Sequence, residues 1–386
     1  MTESVQPEFL QHLTLGLVPG LGPKLTQALL AHFGSPAAAL QATESQLEAV
    51  PLVGRVLAEK FVRGIRRANV AGELALLDRH AVQVFIHGHA GYPDRLMTLE
   101  NAPHLLYCKG NILPTDEKSI GIVGSRSCTS YGKRMTAQLA EGLARRGWTV
   151  ISGLALGIDG TAHQAALEAG GRTLAVLANG LSTVYPPQHK DLAEAVAQHG
   201  ALLTETPMTV APQAGMFPAR NRIISGLSRA VVVVEANARS GALITATHAA
   251  EQGREVYAVP GRVDDPASAG CLELLRGGAR LVRSADDVIE DLKGISTAEF
   301  PSRVAVPKPG TKAAEAVPPP VPQVAVPLPE LDPTQRRVFD ALASRQQVDD
   351  LARELGLPMG ELSNTLMRLE MKKVIRRLPG NFYERR

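Results

Sequence analysis

The sequence predicts an α/β protein: a doubly wound, Rossmann-like parallel sheet flanked by an N-terminal helical domain and a C-terminal winged helix. Three observations predict it. Six short, continuously apolar runs alternate with segments of helical length in the middle of the chain. Strands that are apolar on both faces belong in a parallel sheet covered by helices on each side. On either side of this region the pattern turns helical, with glycine punctuation in front and a proline-rich stretch behind. The predicted parts are a helical domain of helix-hairpin-helix (SAM-like) type over 1–72, the Rossmann-like domain over 73–293, a Pro-rich linker over 294–330 and the winged helix over 331–386.

The bulk properties agree. A chain of 386 residues accommodates two or three domains, and 45% hydrophobic with 20% charged residues is ordinary for a globular protein. The formal charge of +3 is compatible with nucleic acid without requiring it, because a local patch matters more than the sum. No apolar run is long enough to span a membrane, and Met1-Thr2-Glu3-Ser4 lacks the basic start and apolar core of a signal peptide. Three scattered cysteines, Cys108, Cys128 and Cys271, form no CxxC pair. A cytoplasmic location, no disulfide framework and no metal are expected.

In the N-terminal part, Leu17-Val18-Pro19-Gly20-Leu21-Gly22-Pro23 precedes an amphipathic segment ending at Ala31-His32-Phe33-Gly34. This resembles a helix-hairpin-helix, whose backbone amides hold a DNA phosphate; the plainer reading is a helical hairpin used for packing. Val50-Pro51-Leu52-Val53-Gly54-Arg55 reads as a weaker second copy.

The strand-like runs of the middle part are Ser119–Val123, Trp148–Ile151, Thr173–Leu177, Ala201–Thr204, Val231–Val234 and Val256–Val259. Helical segments include Tyr131–Arg146, Ile158–Ala169 and Gly241–Gln252. Ligands of such a sheet bind at the carboxyl ends of its strands. The loops there read Gly124-Ser125-Arg126-Ser127, then Ser152-Gly153-Leu154-Ala155-Leu156-Gly157-Ile158-Asp159, then Arg239-Ser240-Gly241-Ala242-Leu243-Ile244-Thr245. Glycine lets the backbone approach a ligand, and Ser or Thr at a helix start accompanies free N–H groups that attract phosphate. Right-handed crossovers place these loops on one edge. There they are expected to meet Phe217-Pro218-Ala219-Arg220-Asn221-Arg222, an aromatic ring, two guanidiniums and an amide at a helix start. Such a cluster suits phosphate contact with base stacking. Each feature also has a plainer reading. The glycine–serine pairs serve as turns and caps, Phe217 as a hydrophobic staple, and Arg222 as the partner of Asp159 or Glu235. Asp159 and His163 share a helical face, where a cap and a packed histidine compete with a metal pair lacking a third ligand.

Several chemistries are disfavoured. The first loop, Gly121 to Arg126, is not GxGxxG, and Ile151-Ser152 stand where a dinucleotide site needs an acid. There is no GxxxxGK[ST] loop, GxSxG elbow or paired-carboxylate constellation, so no cofactor and no enzyme activity are expected. The alternative is a nucleotide phosphoribohydrolase-like enzyme on a related sheet, with Glu251 as its acid; the missing glycines of the 239–245 loop argue against it.

In the last part, Thr334–Ala343, Val348–Leu355 and Glu361–Lys372 suggest three helices, with Leu362, Leu366 and Leu369 on one apolar face. Val374–Tyr383 then reads as a two-stranded wing around Pro379-Gly380-Asn381. Its presumed recognition helix carries Glu361, Ser363, Asn364 and Thr365, so duplex DNA and a protein partner are both open.

The ordered motifs Ile122–Arg126, Tyr131-Gly132, Ser152–Asp159 with His163, Phe217–Gly226, Ser240–Thr245 and Val259-Pro260-Gly261 closely resemble those of the DNA-processing protein A (DprA, or Smf) family. The resemblance implies a protein that binds and protects single-stranded DNA and loads RecA recombinase onto it in natural transformation and recombination. It further implies a homodimer formed through the Rossmann-like domain. By motif position it assigns DNA contact to Gly124, Ser125, Arg126, Gly153, Phe217, Arg220, Asn221, Arg222, Ser240, Gly241 and Thr245. Family members often carry lysine where Ala214 and Pro187 stand, and Gly-x-Gly-Leu-Asp where Ala178–Ser182 stand; Lys190 is the expected substitute cation.

Overall fold

The computed structural model describes residues 6–293, 332–342, 346–347, 351, 355–372, 374–378 and 382–385. Nine strands build one sheet: β1 (Val82–Ile86), β2 (Leu105–Gly110), β3 (Ser119–Val123), β4 (Thr149–Ser152), β5 (Thr173–Val176), β6 (Ala201–Thr204), β7 (Ala230–Val233), β8 (Glu255–Ala258) and β9 (Arg280–Leu281). Their order is β1-β2-β6-β5-β4-β3-β7-β8-β9. From β6 to β9 all neighbours are parallel, and all six expected strands lie within this stretch. β1 and β2 pair antiparallel with each other, and β2 pairs antiparallel with β6. This edge extension is absent from the sequence reading, which found only strands flanked by crossover helices.

Side chains of β3 show why the sheet is doubly wound. Ile120 and Ile122 pack on one face with Leu139 and Leu143 of the helix Ser130–Arg145 and Ile158 of the helix Ile158–Glu168. Val123 packs on the opposite face with Ile223 and Ile224 of the helix Met216–Leu227 and Leu243 of the helix Gly241–Glu251. A period of two in a strand buried on both sides requires a helical layer on each. The chain runs from β3 outward to β6, then returns to place β7 on the other side of β3. The crevice between the ends of β3 and β7 is therefore the topological switch point, where ligands of such sheets bind.

One carboxylate fastens that switch point. Glu235, two residues beyond β7, accepts hydrogen bonds from the Thr129 amide at 3.0 Å and its hydroxyl at 2.6 Å. Thr129 in turn caps the helix Ser130–Arg145 by accepting from the Gly132 amide at 3.1 Å.

The N-terminal part contains the helices Pro7–Gly16, Pro23–Phe33, Pro36–Gln41, Glu44–Glu48, Arg55–Arg67 and Val70–Arg79. Its two hairpins are copies in backbone as well as in sequence. Gly20 and Leu52 both adopt positive φ, at 83° and 73°. Val18 and Val50 are buried below them, and Gly22 and Gly54 open the next helices with near-identical extended backbone. Leu52 pays the steric cost of a left-handed conformation that glycine avoids.

The chain divides into two units, the second holding the C-terminal elements. These are the helices Pro333–Ala341 and Met359–Met371 and a sheet of β10 (Gln346–Gln347), β11 (Ile375–Leu378) and β12 (Phe382–Arg385), in the order β10-β12-β11. Leu362, Leu366 and Leu369 enter its core with Val338 and Tyr383, as their spacing predicts. The expected middle helix over 348–355 falls mostly on residues outside those described, and the Pro379–Asn381 turn and the linker over 294–330 fall wholly outside them. Among the described residues no helix is long and apolar enough to cross a membrane.

Removing the Glu235 carboxylate strips the Thr129 amide and hydroxyl of their charged acceptor. Glu235→Ala should lower unfolding free energy by about 1.5–3 kcal/mol, the range for hydrogen bonds to charged groups, as read from urea denaturation.

Candidate functional site

A cleft of about 760 Å³ opens at the switch point. Gly124, Ser125, Arg126 and Ser127 line it from the end of β3, and Asn237, Ser240 and Gly241 from the end of β7. Its third wall is the first half of the helix Met216–Leu227. Backbone bonds lock the loops together: the Ser125 amide donates to the Glu235 carbonyl at 2.7 Å, and the Ile158 amide to the Ser125 carbonyl at 3.1 Å. Ser240 caps the helix Gly241–Glu251 by accepting from the Ala242 amide at 3.2 Å. That helix thus turns its N-terminus, with its partial positive charge, toward the cleft. Asn221 Nδ2 donates to the Gly241 carbonyl at 3.4 Å and so joins two walls. Thr245, one turn further on, reaches the cleft but is almost wholly buried.

The arginine-aromatic cluster separates on folding. Phe217, Arg220, Asn221 and Ile224 all line the cleft, because i, i+3, i+4 and i+7 share one face of a helix. Arg222 follows Arg220 by two positions, about 200° around the helix, and faces away. Its guanidinium pairs with Glu205 at 2.5 Å and does not line the cleft. This corrects the expectation that Arg222 joins the DNA groove, and also the choice of Asp159 or Glu235 as its partner. Phe217 is no staple: the Arg126 guanidinium lies over its ring, 4.9 Å from the centroid, and the Tyr185 ring stands 5.8 Å away. Arg126 is exposed and forms no ion pair among the described residues, and Tyr185 is also exposed. The result is an open platform of two rings and one guanidinium.

Arg220 has a different role. Its guanidinium is buried in the cleft floor, donating to the Gly153 carbonyl at 2.8 Å and to the Val176 carbonyl at the end of β5. Asp159 accepts from the amides of Gly153 at 3.1 Å and Ala155 at 3.4 Å. Burial pushes the Asp159 carboxyl upward, against the opposing pull of the Arg220 charge. Burial likewise brings Arg220 down to about 10, with Asp159 acting against the shift. Gly153 is not among the residues lining the cleft and makes room for Arg220: a Cβ there would lie 2.5 Å from Arg220 Nη2. His163 is a packed histidine, its Nδ1 bonded to the Thr173 hydroxyl at 2.6 Å. Lys190 is exposed at the start of the helix Lys190–His199 and is not among the residues lining the cleft, so it does not replace the missing lysines there. Glu251, the acid of the enzyme alternative, ends the helix whose start faces the cleft, about 15 Å away at 1.5 Å per residue.

Tyr185 and Asn237 are absent from the sequence-derived set. Tyr185 carries a usable signal, an aromatic residue in a polar loop after a strand, but only the fold brings it to Phe217.

Three comparisons bear on this site. A family model described as DNA recombination-mediator protein A matches residues 83–293, a DprA winged helix domain matches 322–381, and a SAM-like helix-hairpin-helix tandem matches 13–67. The chain is 33% identical to Protein Smf of Synechocystis, over 96% of both chains. Among solved structures it is similar to DNA processing protein A of Streptococcus pneumoniae, with a TM-score of 0.64, 32% identity and coverage of 74% of this chain and 98% of that one. It is also similar to DNA processing protein A of Helicobacter pylori, described for its single-stranded DNA binding mode, with a TM-score of 0.50, 29% identity and coverage of 55% and 96%.

The buried charges around the cleft make two measurable demands. Arg222→Ala leaves Glu205 without its partner. Because the Glu205 side chain keeps 24% exposure, the cost should fall to about 2–3 kcal/mol, below the 3–5 kcal/mol of a fully buried pair, in urea unfolding. His163 is held by burial at about 3, far below its ordinary 6.5. The unfolded chain therefore takes up a proton that the folded chain refuses between these values. The contribution of His163 to stability is complete above pH 6.5 and is lost as pH drops toward 3. His163→Asn should flatten that acid limb in a series of unfolding curves.

Proposed function

Since the chain belongs to the DNA recombination-mediator protein A family, we propose that it binds single-stranded DNA along the cleft between the ends of β3 and β7. The observation that carries this reading is the platform of Arg126, Phe217 and Tyr185 beside the N-terminus of the helix Gly241–Glu251. Stacking on an aromatic face serves every base equally, and an exposed guanidinium beside the positive end of a helix serves the phosphates. The site therefore suits a single strand of any sequence. In this reading Arg126, Phe217 and Asn221 contact the strand directly, with Ser125 and Ser240 offering their hydroxyl groups and Gly241 a side-chain-free approach to the backbone. Arg220 and Gly153 shape the floor. Only Arg126 among the cleft-lining residues is an exposed cation, which matches the lysine positions occupied here by Ala214 and Pro187.

The further parts of the proposal follow the family resemblance. The bound strand is protected and passed to RecA recombinase, the protein acts in the cytoplasm as a homodimer through its Rossmann-like domain, and the winged helix engages duplex DNA or a protein. The four-part division at 1–72, 73–293, 294–330 and 331–386 is the layout in which these activities are placed.

Fluorescence anisotropy with an oligo-dT probe tests the cleft. Phe217→Ala should cost about 1–3 kcal/mol of binding, the value of one stacked base. Arg126→Ala should weaken binding to oligonucleotides of different sequence equally and lower the slope of log affinity against log salt by about 0.7. Both residues lie at the surface of the cleft, so the variants should remain folded. Parental affinity in both would remove the cleft from the DNA path.

A further inference from the structure

Away from the cleft, the first helix meets the antiparallel edge of the sheet through a group of histidines. Glu8 and His12 occupy consecutive turns of the helix Pro7–Gly16, so their side chains share a face. His89 stands in the turn that follows β1, and His104 immediately precedes β2. The His12 and His89 rings meet edge to face, 5.1 Å between centroids. His12 Nδ1 and His104 Nε2 are 3.0 Å apart, a hydrogen bond between residues 92 positions apart in the chain. At that distance one ring must donate and the other must accept.

We propose that Glu8, His12 and His89 form a binding site for a divalent transition-metal ion, zinc being the best fit. The ligand atoms these three residues offer lie within 4.8 Å of one another. Two imidazoles and a carboxylate are a borderline donor set that selects zinc and its neighbours over magnesium or calcium, which prefer oxygen alone. Three protein ligands leave the fourth tetrahedral position to water.

The hydrogen bond to His104 supplies what a ligating histidine needs. If His12 Nδ1–H donates to His104, the lone pair of His12 sits on Nε2, the atom that lies 4.0 Å from Glu8 Oε1. This is the outer-sphere arrangement that fixes tautomer and ring orientation in metal sites. Tetrahedral bonds of about 2.0–2.1 Å set ligand atoms about 3.4 Å apart, so the site closes by roughly 1 Å on binding. The exposure pattern permits this: His12 is buried and held, while Glu8 and His89 are exposed and free to swing. A bound ion would join the first helix to the turn after β1, and so pin the helix-hairpin-helix region to the edge of the sheet. Mass action then stabilises the folded chain. The cluster is invisible to motif spacing because its ligands come from two distant segments.

The test uses the full chain without an affinity tag, stripped with chelator. It is titrated with Zn²⁺ by calorimetry and with Co²⁺ by visible absorption. The expected result is a site saturating at one equivalent, a Co²⁺ band of tetrahedral or five-coordinate character, and a higher unfolding temperature with Zn²⁺. His89→Ala and Glu8→Gln change exposed side chains and should stay folded, as circular dichroism will show. Each should weaken Zn²⁺ binding by more than about tenfold, the least that losing even an outer-sphere partner costs. The chain has ten histidines, so stoichiometry alone does not locate the ion. Absence of a one-equivalent site, or undiminished Zn²⁺ affinity in His89→Ala, would overturn the proposal.

Discussion

A cation buried under the carboxyl edge of the sheet is the constraint on which the cleft depends. The Arg220 guanidinium has little water to turn to, so it must find acceptors in the protein. It takes them from the Gly153 and Val176 carbonyls, at the ends of two neighbouring strands. Asp159 supplies opposing charge and at the same time holds the Gly153 and Ala155 amides. The loop after β4 is thereby held from both sides, its amides by a carboxylate and its carbonyl by a guanidinium. Each group in this set would be costly if left alone, which gives the cleft floor a single well-defined arrangement.

The rigid floor explains the division of labour above it. Phe217 and Asn221 ride on the same helical face as Arg220, so anchoring Arg220 also aims the ring and the amide into the cleft. Arg126 comes from another loop, tied by backbone bonds to both Glu235 and Ile158. The platform is thus built from flexible side chains on fixed backbone. That combination suits a polymer whose bases differ in outline but share a stacking face.

Several motif residues that resemble a family signature prove to serve the frame. Tyr131 donates its hydroxyl to the Pro260 carbonyl at 2.7 Å, joining the helix after β3 to the loop after β8. Gly132 makes room for Glu235, to which a Cβ would come within 2.5 Å. Such residues hold the geometry of the switch point and are not among those lining the cleft. Motif membership alone therefore does not place a residue on the cleft wall, and Gly153 and Arg222 are likewise missing from the lining.

The sequence by itself determined the parallel strands, their alternating helices and the helical hairpins, because these depend on patterns a few residues long. Apolar runs, caps and glycine turns act locally, and the crossover rule carries them to one sheet edge. It also determined that Arg126 and Phe217 would meet near that edge, and the helical period already contained the opposition of Arg220 and Arg222. Tertiary structure decided the partners. Glu205 for Arg222, Tyr185 for Phe217, Glu235 for Thr129 and His89 for His12 are each supplied by a distant segment. The antiparallel edge of β1 and β2 belongs to the same class, since it needs no crossover helix to announce it. Which buried charge finds which acceptor is settled only when strands far apart in sequence become neighbours, because desolvation penalises every unpaired group at once.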